Sequence, residues 1–116
     1  MHFFDSYPNV STRPAVNILE NEKGYRLEMA VPGFSKDDIS VTVKENVLNI
    51  KAQAPSSNLA QGARVLRREF EPRTFERNFR LSEKVDQDSI HALVEQGVLV
   101  LAIGKMVPEK KVIEVA

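Results

Sequence analysis

Tyr25-Arg26-Leu27-Glu28-Met29-Ala30-Val31-Pro32-Gly33 is the stretch whose reading decides the fold. Apolar side chains at 25, 27, 29 and 31 fall on one side of an extended chain, and Arg26 and Glu28 fall on the other. Pro32 lacks the donor a ladder needs and Gly33 tolerates positive φ, so the strand ends there. Upstream, Asn21-Glu22-Lys23-Gly24 has turn chemistry and separates this strand from a short one at Val16-Asn17-Ile18-Leu19. Downstream, Ser35-Lys36-Asp37-Asp38 has room for one helical turn. Ile39-Ser40-Val41-Thr42-Val43 then alternates again, and Glu45-Asn46 links it to Val47-Leu48-Asn49-Ile50-Lys51-Ala52 as a hairpin.

The same period of two recurs in the second half. Phe75, Arg77, Phe79 and Leu81 share one parity, Ser89–Val94 is a further strand, and Gln96-Gly97 turns into the apolar run Val98–Ile103 suited to an interior strand. Asp86-Gln87-Asp88 reads as the lead-in to the Ser89 strand. Short strands at this spacing predict an all-β, immunoglobulin-like antiparallel sandwich of about seven to nine strands.

Composition narrows the function classes. At 116 residues the chain suits one domain. Lys plus Arg and Asp plus Glu both number 16, so no basic excess exists to release counterions from a polyphosphate, and nucleic acid is not an expected partner. Near-zero net charge also gives little protection against self-association. The absence of cysteine excludes disulfides and thiolate chemistry, and is compatible with a reducing cytosol. Met1-His2-Phe3-Phe4-Asp5 lacks the pattern of a signal peptide, and no apolar run is long enough for a membrane span, so a soluble cytoplasmic product is expected.

Catalysis has little to work with. His2 and His91 are the available imidazoles, and His91 stands in no triad or metal spacing. Asp37, Asp38, Asp86 and Asp88 look like loop and turn residues, and Asp-Gln-Asp lacks the glycine of a calcium loop. No Gly-x-x-x-x-Gly-Lys phosphate loop is present. No enzyme activity, metal or cofactor is expected.

Three segments, taken in order, carry a resemblance. They are Val31-Pro32-Gly33-Phe34-Ser35-Lys36-Asp37-Asp38-Ile39 running into Val47-Leu48-Asn49-Ile50; Arg67-Arg68-Glu69-Phe70 with Phe75-Glu76-Arg77-Asn78-Phe79-Arg80-Leu81; and Ala92-Leu93-Val94-Glu95-Gln96-Gly97-Val98-Leu99. Together the sequence resembles the alpha-crystallin domain of small heat shock proteins. The resemblance implies a domain over residues 15–105, an N-terminal arm over 1–14 that is short for the family, and a C-terminal extension over 106–116. Two departures from the family pattern are Ser82 and Gly104, where proline is frequent; both are read as loop positions.

The resemblance also implies a function: an ATP-independent holdase that binds non-native clients and prevents their aggregation, working as homodimers and higher homo-oligomers. Its bacterial and plant form exchanges a strand between dimer partners, and residues 55–70 look like that loop and strand. Arg64-Val65-Leu66-Arg67-Arg68-Glu69-Phe70 is too polar for a core strand, yet it would be satisfied by backbone pairing to another chain's edge, here near Val16 and Ile18. The dimer contact is therefore expected from Val16, Ile18, Arg64, Val65, Leu66, Arg67, Arg68, Phe70 and Arg77. Arg77 shares its parity with two phenylalanines and needs carbonyl or carboxylate partners; the resemblance puts an arginine here at the dimer interface. Ile113-Glu114-Val115 matches the family's Ile-x-Ile/Val anchor, whose groove would be lined by Ile39, Val41, Val43, Ile90 and Ala92. Phe3, Phe4 and Tyr7 are expected to add client-binding surface.

The competing readings are plainer. Residues 64–70 could form a solvated charged hairpin in a monomer, Arg77 could be a solvated edge residue, and Ile113 and Val115 could be a frayed tail. A CS-domain-type co-chaperone would share the sandwich but lack both the exchanged strand and the terminal Ile-Glu-Val.

Overall fold

Alternation builds the structure strand by strand. The computed structural model describes residues 14–55, 62–107 and 113–115. Among the described residues seven strands form: β1 (Val16–Glu20), β2 (Gly24–Ala30), β3 (Ile39–Lys44), β4 (Val47–Ala52), β5 (Phe75–Arg80), β6 (Val85–Glu95) and β7 (Val98–Lys105), with one 3-10 turn at Lys36–Asp38. They pair in two antiparallel sheets of order β1-β2-β7-β6 and β3-β4-β5.

The expected parity is the parity of the core. Tyr25, Leu27, Met29 and Val31 face inward, with Leu48, Ile50 and Ala52 from β4, Phe75 and Phe79 from β5, and Leu99, Leu101 and Ile103 from β7. Leu27, Met29, Leu48, Ile50 and Leu101 are fully buried, so each contributes the full burial gain of about 1.5–3 kcal/mol. β2 and β7 are the two inner strands of the four-stranded layer, β2 pairing with β1 and β7, and β7 with β2 and β6.

Two hairpin turns are tight because consecutive residues take positive φ. Glu45 and Asn46 stand at 52° and 64°, and Gln96 and Gly97 at 51° and 75°. Such turns match the right-handed twist of the flanking strands. Asn46 accepts this conformation more readily than Glu45 does, and its carbonyl also accepts the Leu81 N–H at 2.8 Å.

The structure corrects two boundaries. β6 begins at Val85 rather than Ser89, because Val85 and Asp86 already pair with Lys105 and Gly104; a register shift between Asp86 and Ile90 absorbs the polar run. Gly104 is accordingly a strand residue, not a loop residue. It pairs with Gly24, and a Cβ on it would stand 2.9 Å from the Ser89 Cβ. The glycine is needed for close packing across the sheet.

Tyr25 closes one end of the core at 5% exposure. Burial first, and the adjacent Glu20 carboxylate second, push its phenol above the ordinary value. The Lys105 ammonium lies 5.2 Å from its ring and 3.0 Å from the Glu20 carboxylate. A phenol raised on folding holds its proton more tightly in the native state. Its contribution is complete below the unfolded pKa of about 10 and is lost as pH rises through the higher folded value. Thermal unfolding between pH 8 and 11 should show wild type losing stability more steeply than Tyr25→Phe at the alkaline end; parallel curves would refute this.

Candidate functional site

Open sheet margins define the site. β1 and β6 are the outer strands of the four-stranded sheet, and β3 and β5 are those of the three-stranded sheet. An outer strand presents unpaired backbone groups along its free side. The two margins of the sandwich differ in what lies between the sheets.

At one margin β3 and β6 flank a cleft of about 320 Å³, lined by Lys36, Ile39, Val41, Ala92, Leu93, Val94 and Leu99. Leu99 is buried at its floor, while Leu93 is 52% exposed. Ile39, Val41 and Ala92 thus line it as their parity requires. Val43 and Ile90 share that parity and, like Ile39 and Val41, are half-buried against the core, but they are not among the residues that line this cleft. Val94 shares the parity of Ile90 and Ala92 on β6, whereas Leu99 lies in the unbroken apolar run 98–103, where no alternation marks the inward face. Lys36 and Leu93 were not legible in the alternation: one lies on the 3-10 turn, and the other has the opposite parity.

At the other margin Arg77 ties the sheets together. It is 6% exposed, and it is the buried charged residue among the described ones. Its Nη1 donates to the Pro14 carbonyl at 2.8 Å, just ahead of β1, and its guanidinium carbon sits 5.0 Å from the centre of the Phe79 ring. The carbonyl partner demanded by its parity is present inside the chain. Val16 is half-buried beside this tie, and Ile18 and Leu19 are 38% and 49% exposed on β1.

Arg64–Phe70 forms no strand within its own chain and is exposed throughout. Val65, Leu66 and Phe70 are 46%, 85% and 77% exposed. Here the structure differs from a simple strand assignment for a physical reason: the β1 and β5 margins are not paired with it, so no ladder fixes its backbone. Its charges satisfy one another locally, Arg67 with Glu69 at 3.9 Å and Arg68 with Glu71 at 2.7 Å. The Arg68 hydrogen bond holds the Glu71 carboxyl below its usual value. Ile113 and Val115 are 77% and 95% exposed. Phe3, Phe4 and Tyr7 lie outside the described residues.

His91 is exposed on β6, and no group of three or more metal-ligating side chains converges among the described residues. None of their helices is long and apolar enough to cross a membrane.

Residues 17–116 match the Hsp20/alpha crystallin family. The chain belongs to that family. A small heat shock protein from Xylella fastidiosa has a similar structure, with a TM-score of 0.75 at 30% identity over 89% of this chain and 95% of that one. The 22.0 kDa heat shock protein of Arabidopsis thaliana is 33% identical over 88% of this chain and 53% of its own length. Small heat shock protein C2 of Rickettsia felis is 30% identical over 79% of this chain and 60% of its own length. The chain therefore spans little more than half the length of the Arabidopsis and Rickettsia relatives, and the family match lies over its residues 17–116.

Arg77 supports the Pro14 carbonyl from within the sandwich. Arg77→Gly strands this acceptor and empties the space over Phe79, so it should lower stability by about 1–3 kcal/mol. Denaturant unfolding of the dilute protein checks it, and an unchanged midpoint would place Arg77's contribution elsewhere.

Proposed function

We propose that this alpha-crystallin-family chain is an ATP-independent chaperone of the holdase kind, which binds unfolding proteins and keeps them from aggregating. It works as a homodimer and as higher homo-oligomers. One observation carries the reading: the β3–β6 cleft has an apolar lining, while the β-branched Ile113 and Val115, two residues apart, stand exposed.

Two such side chains project to the same side of an extended segment. Seated in a neighbour's cleft they would gain about 3–6 kcal/mol gross, and the cost of ordering the tail offsets much of that. The contact is marginal and exchangeable. When the tail leaves, the same cleft and margins are free to take an apolar segment of an unfolding protein. Phe3, Phe4 and Tyr7 of the N-terminal arm extend this surface.

The dimer contact uses the other margin. Arg64–Phe70 of one chain adds to the free side of β1 in its partner, where main-chain pairing tolerates its arginines and Glu69. Val16 and Ile18 receive it, and Arg77 holds the receiving strand from inside. In this reading residues 1–14 are the arm, 15–105 the assembling domain and 106–116 the anchor-bearing extension. The cytoplasm is its compartment, where a chain without cysteine needs no oxidative folding. A CS-domain-type co-chaperone is not favoured: the relatives are themselves heat shock proteins, and the sequence carries both the 64–70 segment and the terminal anchor.

Mass by light scattering should give multimers of a dimer for the intact chain and dimers for a version ending at Pro108. The intact chain should suppress aggregation of a heat-unfolded protein without nucleotide. A monomer that leaves aggregation unchanged would overturn the proposal.

A further inference from the structure

Residues 71–74, which lead into β5, are fastened to the sandwich, although the described residues just before them are exposed. The Ala54 N–H donates to the Thr74 hydroxyl at 2.9 Å, closing the neck of the β4–β5 connection. Pro72 sits directly on Gly33: a Cβ at Gly33 would stand 2.6 Å from the Pro72 Cγ, and Gly33 has φ of +86°. Phe34, next to that glycine, meets Phe75 edge-on at a ring separation of 5.6 Å. Between neck and arm, Glu71 bridges two arginines, Arg68 at 2.7 Å and Arg73 at 3.3 Å. Beyond this bracket Arg64–Phe70 is exposed and joins no strand of its own chain.

The contrast is between a fixed root and an unpaired arm a few residues away. We infer that the Pro72–Gly33 seat and the Glu71 bracket form a prebuilt root that aims the Arg64–Phe70 arm away from its own sandwich and toward β1 of a second copy of this chain. The inference rests on the strand-exchange reading above and adds to it the residues that position the arm. Backbone already fixed in the free chain adds nothing to the ordering cost of association. The root therefore acts on the free state and on the rate of capture, not on contacts made inside the dimer. It also divides the arginines of the arm. Arg68 is committed to Glu71 of its own chain at 2.7 Å and is a positioning residue, while Arg67 has only the longer, exposed 3.9 Å contact to Glu69 to exchange for a partner's group.

Gly33 is required by the same geometry. Any side chain there meets the proline ring and also carries the strain of positive φ. This explains why the Pro32-Gly33-Phe34 turn, far from the arm in sequence, contributes to where the arm points.

The test uses the full chain with Pro72→Gly and, separately, Glu71→Gln, the latter an exposed substitution that does not threaten the core. Dimer dissociation constants and the two rate constants are measured by dilution and mixing of labelled subunits, with thermal unfolding alongside. Each variant should raise the dissociation constant, Glu71→Gln by about twofold to fivefold and Pro72→Gly by more, through slower association at an unchanged dissociation rate, with the melting temperature unchanged for Glu71→Gln. A wild-type dimer with both variants associating at the wild-type rate would overturn the root while leaving strand exchange standing. Faster dissociation with a lowered melting temperature would also overturn it, since that marks a purely structural role. A wild-type chain that stays monomeric at every concentration would remove the exchange reading and this inference together.

Discussion

An antiparallel sandwich of four and three strands has four outer strands, and the backbone groups along their free sides need water or another strand. That constraint organises the rest of this molecule. The cores of β2, β4 and β7 are complete within one chain: Leu27, Leu48 and Leu101 have no remaining exposure. The margins are not complete. Among the described residues β1, β3, β5 and β6 each pair on one side alone, and a protein that leaves such strands open must either blunt them or use them. Here blunting is slight. β3 alternates half-buried valine and isoleucine with exposed serine, threonine and lysine, a pattern that keeps its strand character intact to the edge.

The two margins are held open differently, and the difference suits two kinds of contact. Between β3 and β6 the sheets part over Leu99, leaving a cleft that only side chains can fill. Between β5 and β1 the gap is closed by a buried guanidinium bonded to the Pro14 carbonyl. A buried arginine is tolerable when hydrogen bonds satisfy it, and removing it costs more than its net worth because the partner group is left unmet. The closed margin can therefore offer only its outer backbone, which favours addition of a whole strand. The open margin offers apolar volume, which favours a short plug.

Much of this was readable in the chain itself. Strict alternation at Tyr25–Val31 and Ile39–Val43 fixed which residues face inward, and Arg77 stood out because its parity placed a charge among phenylalanines. The register shift in β6 was hidden because Asp86-Gln87-Asp88 is indistinguishable from a loop until Gly104 is seen opposite it. The cleft was half legible. Parity names Ile39, Val41 and Ala92, but it cannot tell where the sheets diverge, so it also names Val43 and Ile90, which do not line the cleft. Lys36 and Leu93 enter through the rim, a property of how two sheets and a 3-10 turn meet in space. Pro72 and Gly33 lie 39 positions apart in sequence, and no local pattern announces their contact.

Equal numbers of acidic and basic residues complete the picture at longer range. A strongly charged domain would resist repeated association of its own copies, whereas this chain balances its 16 cations with 16 anions. It pairs many of them locally, as Arg26 does with Glu28 at 2.9 Å and Lys51 with Glu76 at 3.6 Å. Such exposed pairs add little to stability. Their effect is to balance the charge of the broad faces, so that it is the open margins, and not a charged patch, that distinguish one part of this surface from another.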